Sequence, residues 1–356
     1  MVMGAYKFFK YPKSEQSMND KTIYRVCLGV AILFAVILLP FLTSADEGQS
    51  VVKYESGFYY TVEKGDTLWE ISDRFFRSPL LWPDLWSENK QIKNPHRIWP
   101  GERISLFHHI GEKSLPTEEM QEKVIPKKEG AYYYYAGIDA VGFVRQVPLK
   151  PWGSIFKVVD NKTIISQGDR VFIWQAEDGS LSVGEKYTVF RTLKPSRDKK
   201  KGGNFGIQHY LTGIVEVIES NPGFALARVI QSFRAIEIND LVAPFEKRSS
   251  KIPLTDSMKG LYGKIIVSEE HEVDFGDYSI AFIDKGDEDG VRPGQLYHLF
   301  EQETSIDPKT NLEVSLTPLD FGSMLVLFTE KAAATVLIIQ SDKSVYPGAK
   351  FRSPLQ

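Results

Sequence analysis

Hydrophobic and polar positions fall into four textures along the 356 residues. Val26 to Leu42, VCLGVAILFAVILLPFL, is an unbroken apolar run. Between residues 59 and 106 the pattern is mixed. Tyr59 to Val62 has strand propensity and ends at the turn Lys64-Gly65. Leu68, Ile71 and Phe75 then recur at helical spacing, and Leu81, Leu85 and Trp86 mark a second short helix. Glu102 to Phe107 is again strand-like, with Ile104 and Leu106 on one face. The predicted order is strand, helix, helix, strand. Residues 110–130, rich in Lys, Glu and Pro, cannot bury much and read as a linker. From residue 131 short Val, Ile, Phe and Tyr runs are broken by Gly, Asp, Asn and Pro, a β-rich texture. It opens on AYYYYAGIDAVGFV, 131–144, which reads as a paired strand or as a surface aromatic platform. The fold class expected is α+β: a small βααβ module followed by a mostly-β region.

That β-rich region repeats itself. GEKYTVF, Gly184 to Phe190, matches GQLYHLF, Gly294 to Phe300. GIVEVIE from Gly213 resembles GSMLVLF from Gly322, and ARVIQS ending at Ser232 resembles TVLIIQS ending at Ser341, all at nearly one offset. GDRVFI at Gly168 pairs more loosely with GDYSIAFI at Gly276. Several co-linear matches predict two duplicated units, sandwich or barrel-like, at 131–245 and 260–356.

Five basic residues (Lys7, Lys10, Lys13, Lys21 and Arg25) precede the apolar run, and Thr43-Ser44-Ala45 and the acidic Asp46-Glu47 follow it. This is a signal-peptide pattern. In length the run also sits at the lower limit of a spanning helix, so residues 1–45 are either a cleaved export signal or an inner-membrane anchor. Both readings export the rest of the chain to the periplasm or cell wall. Cys27, the single cysteine, stands at the start of the run, which excludes a lipidated cysteine after it.

Within the mixed module, Thr67-x-x-Glu70 is a capping box that starts the first helix. The strings YTVEKGDTLWEIS and IWPGERISL, at residues 60–72 and 98–106, resemble the two ends of a LysM domain. That family binds glycans of peptidoglycan and chitin that contain N-acetylglucosamine. The resemblance covers 59–106, under a sixth of the chain, and the stretch SPLLWPDLWSENKQIKNPHRI is longer and richer in tryptophan than the family's usual middle. It implies a shallow groove between two loops, Gly65-Asp66-Thr67-Leu68 and Asn94 to Pro100. Gly65 would let backbone approach a sugar, Asp66, Thr67 and Asn94 would supply polar groups, and Leu68, Ile98, Trp99 and Pro100 an apolar floor. Asp66 and Thr67 serve equally well as helix caps, and Leu68 and Ile98 as core. Trp82 and Trp86, at helical spacing with Leu85, read as core.

The formal charge of −3 gives no electrostatic case for nucleic acid. Cys27 lies in the export segment, so a cysteine nucleophile is missing from the exported part. The six histidines form no HxH or HExxH, which removes the usual zinc hydrolase sites. His108-His109 reads as a solvated strand end, the basic 194–203 stretch as a solvated loop, and DKGDEDG at 284–290 as an acidic turn that lacks EF-hand spacing. The expectation is a non-catalytic envelope protein with no cofactor and no metal. Its partners would be peptidoglycan glycan strands and, through the β-rich region, an envelope protein. The alternative is a peptidoglycan-remodelling enzyme with an unfamiliar active site in that region.

Overall fold

The computed structural model describes residues 56–354 apart from 77, 108–129, 163, 178, 195–205 and 310. The apolar run, the linker, His108, His109 and nearly all of the basic 194–203 stretch therefore lie outside the described residues. Among the described residues no helix is long and apolar enough to cross a membrane.

The first module runs β1 (Gly57–Thr61), α1 (Leu68–Phe76), a 3-10 turn (Pro79–Leu81), α2 (Trp82–Glu88) and β2 (Arg103–Phe107). β1 and β2 pair antiparallel, Thr61 opposite Arg103. The helices close over one face because Leu68, Ile71, Phe75 and Leu85 share a core with Phe58, Tyr60, Ile104 and Leu106. Asn89, fully buried, ties the end of α2 to β2: its Oδ1 accepts from Ser105 N–H and its Nδ2 donates to Ser105 O, both at 2.8 Å. Trp82 and Trp86 stack with ring centres 6.4 Å apart and pack against this core.

This sheet does not end with the module. β3 (Ala131–Tyr134) pairs with the free side of β1, Tyr60 opposite Ala131. The aromatic run that opens the β-rich region is thus a paired strand of the first module's sheet, not part of the first β unit. A bare β1 edge would leave a row of backbone donors and acceptors unpaired, and β3 covers it.

After β4 (Phe143–Arg145), the strands β5 (Gly153–Val158), β6 (Arg170–Gln175), β7 (Lys186–Leu193), β8 (Ile207–Asn221), β9 (Phe224–Ser232) and β10 (Leu241–Pro244) form a ring. Its order is β5-β6-β9-β8-β7-β10, with β10 returning to β5, and β4 adds to the start of β8. β11 (Lys251–Pro253) then goes back to pair with β3. A second ring follows: β12 (Tyr262–Ser268), β13 (Ile280–Ile283), β14 (Leu296–Glu301), β17 (Leu319–Thr329), β18 (Ala334–Ser341) and β19 (Lys350–Arg352), in the order β12-β13-β18-β17-β14-β19. The hairpin β15 (Thr304–Ile306) and β16 (Glu313–Ser315) stands between β14 and β17. The C-terminal region is mostly β, with two six-stranded barrels.

Strand for strand, the two rings have one order. Their turns also correspond, with one shift from the letter-based alignment. Gly168 N–H donates to Val229 O and Tyr278 N–H to Ile338 O, so Gly168 corresponds to Tyr278 and not to Gly276. Both take positive φ, 91° and 63°, because the turn demands it whatever the residue.

The barrels and the first module share apolar surface. Leu325, Leu327, Leu337 and Ile339, on the outside of the second barrel, belong to the same buried cluster as Phe58, Tyr133, Ile138 and Ile252. DKGDEDG holds a single 3-10 turn, two of whose carboxylates are already engaged: Asp289 pairs with Lys285 at 3.0 Å and Asp287 with Arg292 at 2.6 Å.

Candidate functional site

Two loops leave the same end of the β1–β2 pair. Val62 N–H donates to Glu102 O and Gly101 N–H to Val62 O, both at 2.8 Å, which holds the loops side by side. Each contains the same four-residue turn. In Glu63-Lys64-Gly65-Asp66, Asp66 N–H donates to Glu63 O and Glu63 N–H donates back to Asp66 Oδ2. In Trp99-Pro100-Gly101-Glu102, Glu102 N–H donates to Trp99 O and Trp99 N–H donates back to Glu102 Oε2. The third residue has φ 100° at Gly65 and 90° at Gly101, the left-handed region that favours glycine. A Cβ at Gly65 would meet nothing within 4 Å, so this turn is open to an approaching ligand.

The remaining loop residues divide sharply. Asp66 is spoken for: Tyr60 O–H donates to Oδ2 at 2.7 Å, and Arg74 Nη2 reaches Oδ1 at 3.1 Å. Burial pushes the Asp66 carboxyl up, but the Tyr60 and Glu63 hydrogen bonds and Arg74 together hold it below the ordinary carboxylate range. Burial and the Asp66 contact raise the Tyr60 phenol to about 12. Thr67 caps α1, its Oγ1 accepting from Glu70 N–H at 3.1 Å while Thr67 N–H reaches Glu70 Oε2 at 3.2 Å. Leu68 is 2% exposed and belongs to the core, so its side chain forms no open floor. Asn94 is exposed, its Oδ1 accepting from His96 N–H at 3.0 Å. Ile98 is half-buried against the core and Pro100 is exposed.

Trp99 is 60% exposed, with the Arg97 guanidinium 5.7 Å from its ring centre. Trp69, a residue that sequence reading passed over, is 53% exposed at the start of α1. The signal was present: on a helix whose buried stripe is Leu68, Ile71 and Phe75, position 69 falls outside the stripe. The two loops thus expose glycine backbone and the Trp99 indole together with the charged Glu63, Lys64 and Arg97, and Trp69 stands exposed just after the first of them. Among the described residues no group of three His, Cys, Asp or Glu could hold a metal ion.

The LysM domain family model matches residues 60–107. Residues 60–107 are a LysM domain. Over 57 residues the chain is 35% identical to the uncharacterised protein YqbP of Bacillus subtilis (strain 168). That alignment takes in 13% of this chain and 26% of YqbP, so the chain spans about a quarter of the relative's length. The resemblance is confined to one segment, and the two barrels lie outside the LysM match.

Proposed function

We propose that this is an exported, non-catalytic cell-envelope protein that grips N-acetylglucosamine-containing strands of peptidoglycan through its LysM domain. The observation that carries the reading is the pair of twin turns, which holds the open Gly65 turn and the turn that Trp99 begins side by side at one end of the LysM sheet. A neutral glycan offers acetamido groups, hydroxyls and apolar ring faces, which suit backbone hydrogen bonds and an exposed indole rather than charges. In this reading Gly65, Asn94, Ile98, Trp99 and Pro100 face the glycan. Asp66, Thr67 and Leu68 hold the loops in shape, and Trp69 joins the surface. The two barrels are an internal duplication that serves as scaffold or as contact surface for an envelope protein, and the 1–45 segment directs export.

The test is co-sedimentation of the full chain with purified sacculi. Trp99→Ala is expected to weaken pelleting about tenfold, as loss of one well-placed aromatic anchor does. Gly65→Trp is expected to abolish it, by filling the open turn with a side chain its backbone disfavours. Val183→Ala, an exposed position of the first barrel, should pellet like wild type. Unchanged pelleting of both loop variants would overturn the assignment of the groove. Release of soluble muropeptides by the purified protein would overturn the non-catalytic reading in favour of a remodelling enzyme.

A further inference from the structure

The two barrels present the same three-strand outer face in opposite states. On the second barrel it is covered. Ile266, Val267, Phe282 and Ala333 form one buried cluster with Val144 of β4. Thr335 Oγ1 donates to Gly142 O at 3.0 Å. The covering element is β4 together with the start of β8, whose Gln208 Nε2 donates to Glu269 O at 2.8 Å and whose Tyr210 hydroxyl bonds Glu270.

On the first barrel the corresponding strands are β5, β6 and β9. Phe172 lies opposite Leu226 there, as Phe282 lies opposite Thr335 in the second barrel. The two pairs are related by the same offsets that carry Gly184 to Gly294 and Ser232 to Ser341. Phe282 is 0% exposed, whereas its counterpart Phe172 is only half-buried and Trp174, next on the same outer face of β6, is 51% exposed. Around it Phe156, Phe172 and Phe224 are half-buried and lean on one another, Phe156 stacked on Trp174 at 4.4 Å. The opposite side of these strands (Ile155, Ile173, Ala225) fills the barrel core. An exposed tryptophan set among three half-buried phenylalanines, on a sheet face that none of the described residues covers, marks an interaction surface.

The element that would cover it is also exposed. In the second barrel, the residues that correspond to the start of β8 are 316–319, which lead from the β15–β16 hairpin into β17. Along the hairpin and this lead, Ile306, Leu312, Val314, Leu316 and Leu319 are 64%, 66%, 45%, 43% and 71% exposed. Leu319 follows Tyr210, the residue that grips Glu270 inside the molecule, by the same interval that separates Ser341 from Ser232. Charge is complementary as well. β5, β6 and β9 carry Lys157, Arg170 and Arg228, the last paired with Glu216 of β8 at 3.2 Å, and no carboxylate, while residues 302–316 carry Glu303, Asp307 and Glu313 against Lys309 alone.

We propose that the first barrel's aromatic face receives a second copy of this chain, the β15–β16 hairpin of one molecule docking on β5, β6 and β9 of the next. The contact repeats between molecules the junction that joins the two barrels within one. Because the two surfaces differ, it is head-to-tail and leaves one of each open, so molecules add in a row.

The test is disulfide trapping in the full chain carrying Cys27→Ser, with mild detergent in excess to disperse its apolar N-terminal run. One batch carries Trp174→Cys and another Leu312→Cys. Mixed and oxidised, they are expected to give a crosslinked dimer, and a chain carrying both cysteines a ladder of higher species. Val147→Cys, also exposed, replaces Trp174→Cys as the control and should give none. Sedimentation of the cysteine-free parent should show concentration-dependent association, and Trp174→Arg or Ile306→Asp, each with an unchanged circular dichroism spectrum, should weaken it at least tenfold. The proposal is overturned by a monomer at all concentrations. It is overturned equally by dimers from the Trp174→Cys batch alone, which mean a face-to-face contact, or by muropeptide oligomers protecting Trp174 from quencher while the protein stays monomeric.

Discussion

Gly65 and Gly101 do the same work in twin turns, and the residue after each is the one that locks it. Asp66 closes its turn through the Glu63 amide and then reaches Tyr60 and Arg74. Its folded-state carboxyl lies below its ordinary range, so it contributes stability that is fully present above the unfolded value of about 4 and is lost as pH falls through the lower folded value. Asp66→Asn should therefore destabilise the protein by about 1–2 kcal/mol at pH 7 and flatten the acid side of its stability curve. Thermal denaturation between pH 3 and 7 measures both. Thr67→Ala removes a capping acceptor and should lower stability by about 1 kcal/mol with little change in pelleting on sacculi. If pelleting falls tenfold while stability holds, Thr67 contacts glycan as well. Sequence could name these residues but left them two roles each. A capping oxygen and a sugar-binding oxygen look alike in one dimension, and only the partners of Asp66 in the fold and the burial of Leu68 separate them.

At the scale of elements, the LysM domain shares its sheet and its core with the rest of the chain. β1 sits between β2 and β3, and β11 adds a fourth strand after the whole first barrel has intervened. Tyr133, 3% exposed, packs edge-on against Phe58 at 4.8 Å in the core shared with the second barrel. Tyr59 and Tyr132 stack on the other side of the sheet with Arg103, whose guanidinium is 3.5 Å from the Tyr59 ring centre. Scanning calorimetry of the full chain should accordingly show the LysM domain and the second barrel unfolding in one transition. Tyr133→Ala, expected to destabilise by roughly 3–5 kcal/mol, should lower that transition as a whole. A LysM peak that melts separately and ignores the substitution would show that the shared core carries no coupling. The helices α1 and α2 were readable from their apolar stripes and the capping box, because those signals are local. The reach of β3 back to β1 was not, since a strand's sequence states which face is apolar and not which strand will lie beside it.

For the whole molecule, the junction between barrels is the decisive feature. His209, at the start of β8, stacks on Phe143 at 4.6 Å and accepts the Leu149 N–H at Nε2, a bond that needs this nitrogen unprotonated. Burial, helped by the Arg145 charge, lowers its pKa to about 4. The folded value lies below the unfolded one, so the neutral ring's contribution is complete above about pH 6.5 and is lost as pH falls from there to about 4. The melting temperature should drop across that window, and His209→Gln should shrink the drop; an equal drop in the variant would place the titrating group elsewhere. Nearby, Arg234 reaches Glu269 at 2.9 Å and Glu270 at 2.8 Å, joining the first barrel to the turn that follows β12.

By itself the sequence determined the LysM segment, its helices and caps, the β character of the rest and the near-constant offset of its repeats. All of these rest on short-range periodicity or on motifs a few residues long. Only the tertiary structure decided that the units close into six-stranded rings and that the Tyr-rich strand belongs to the LysM sheet. It also decided that Leu68 is core while Trp69 is surface, and that one barrel's outer face is covered while none of the described residues covers its counterpart. Those outcomes depend on which distant strands meet, and partner choice is settled by the packing of whole faces rather than by any residue's own preference.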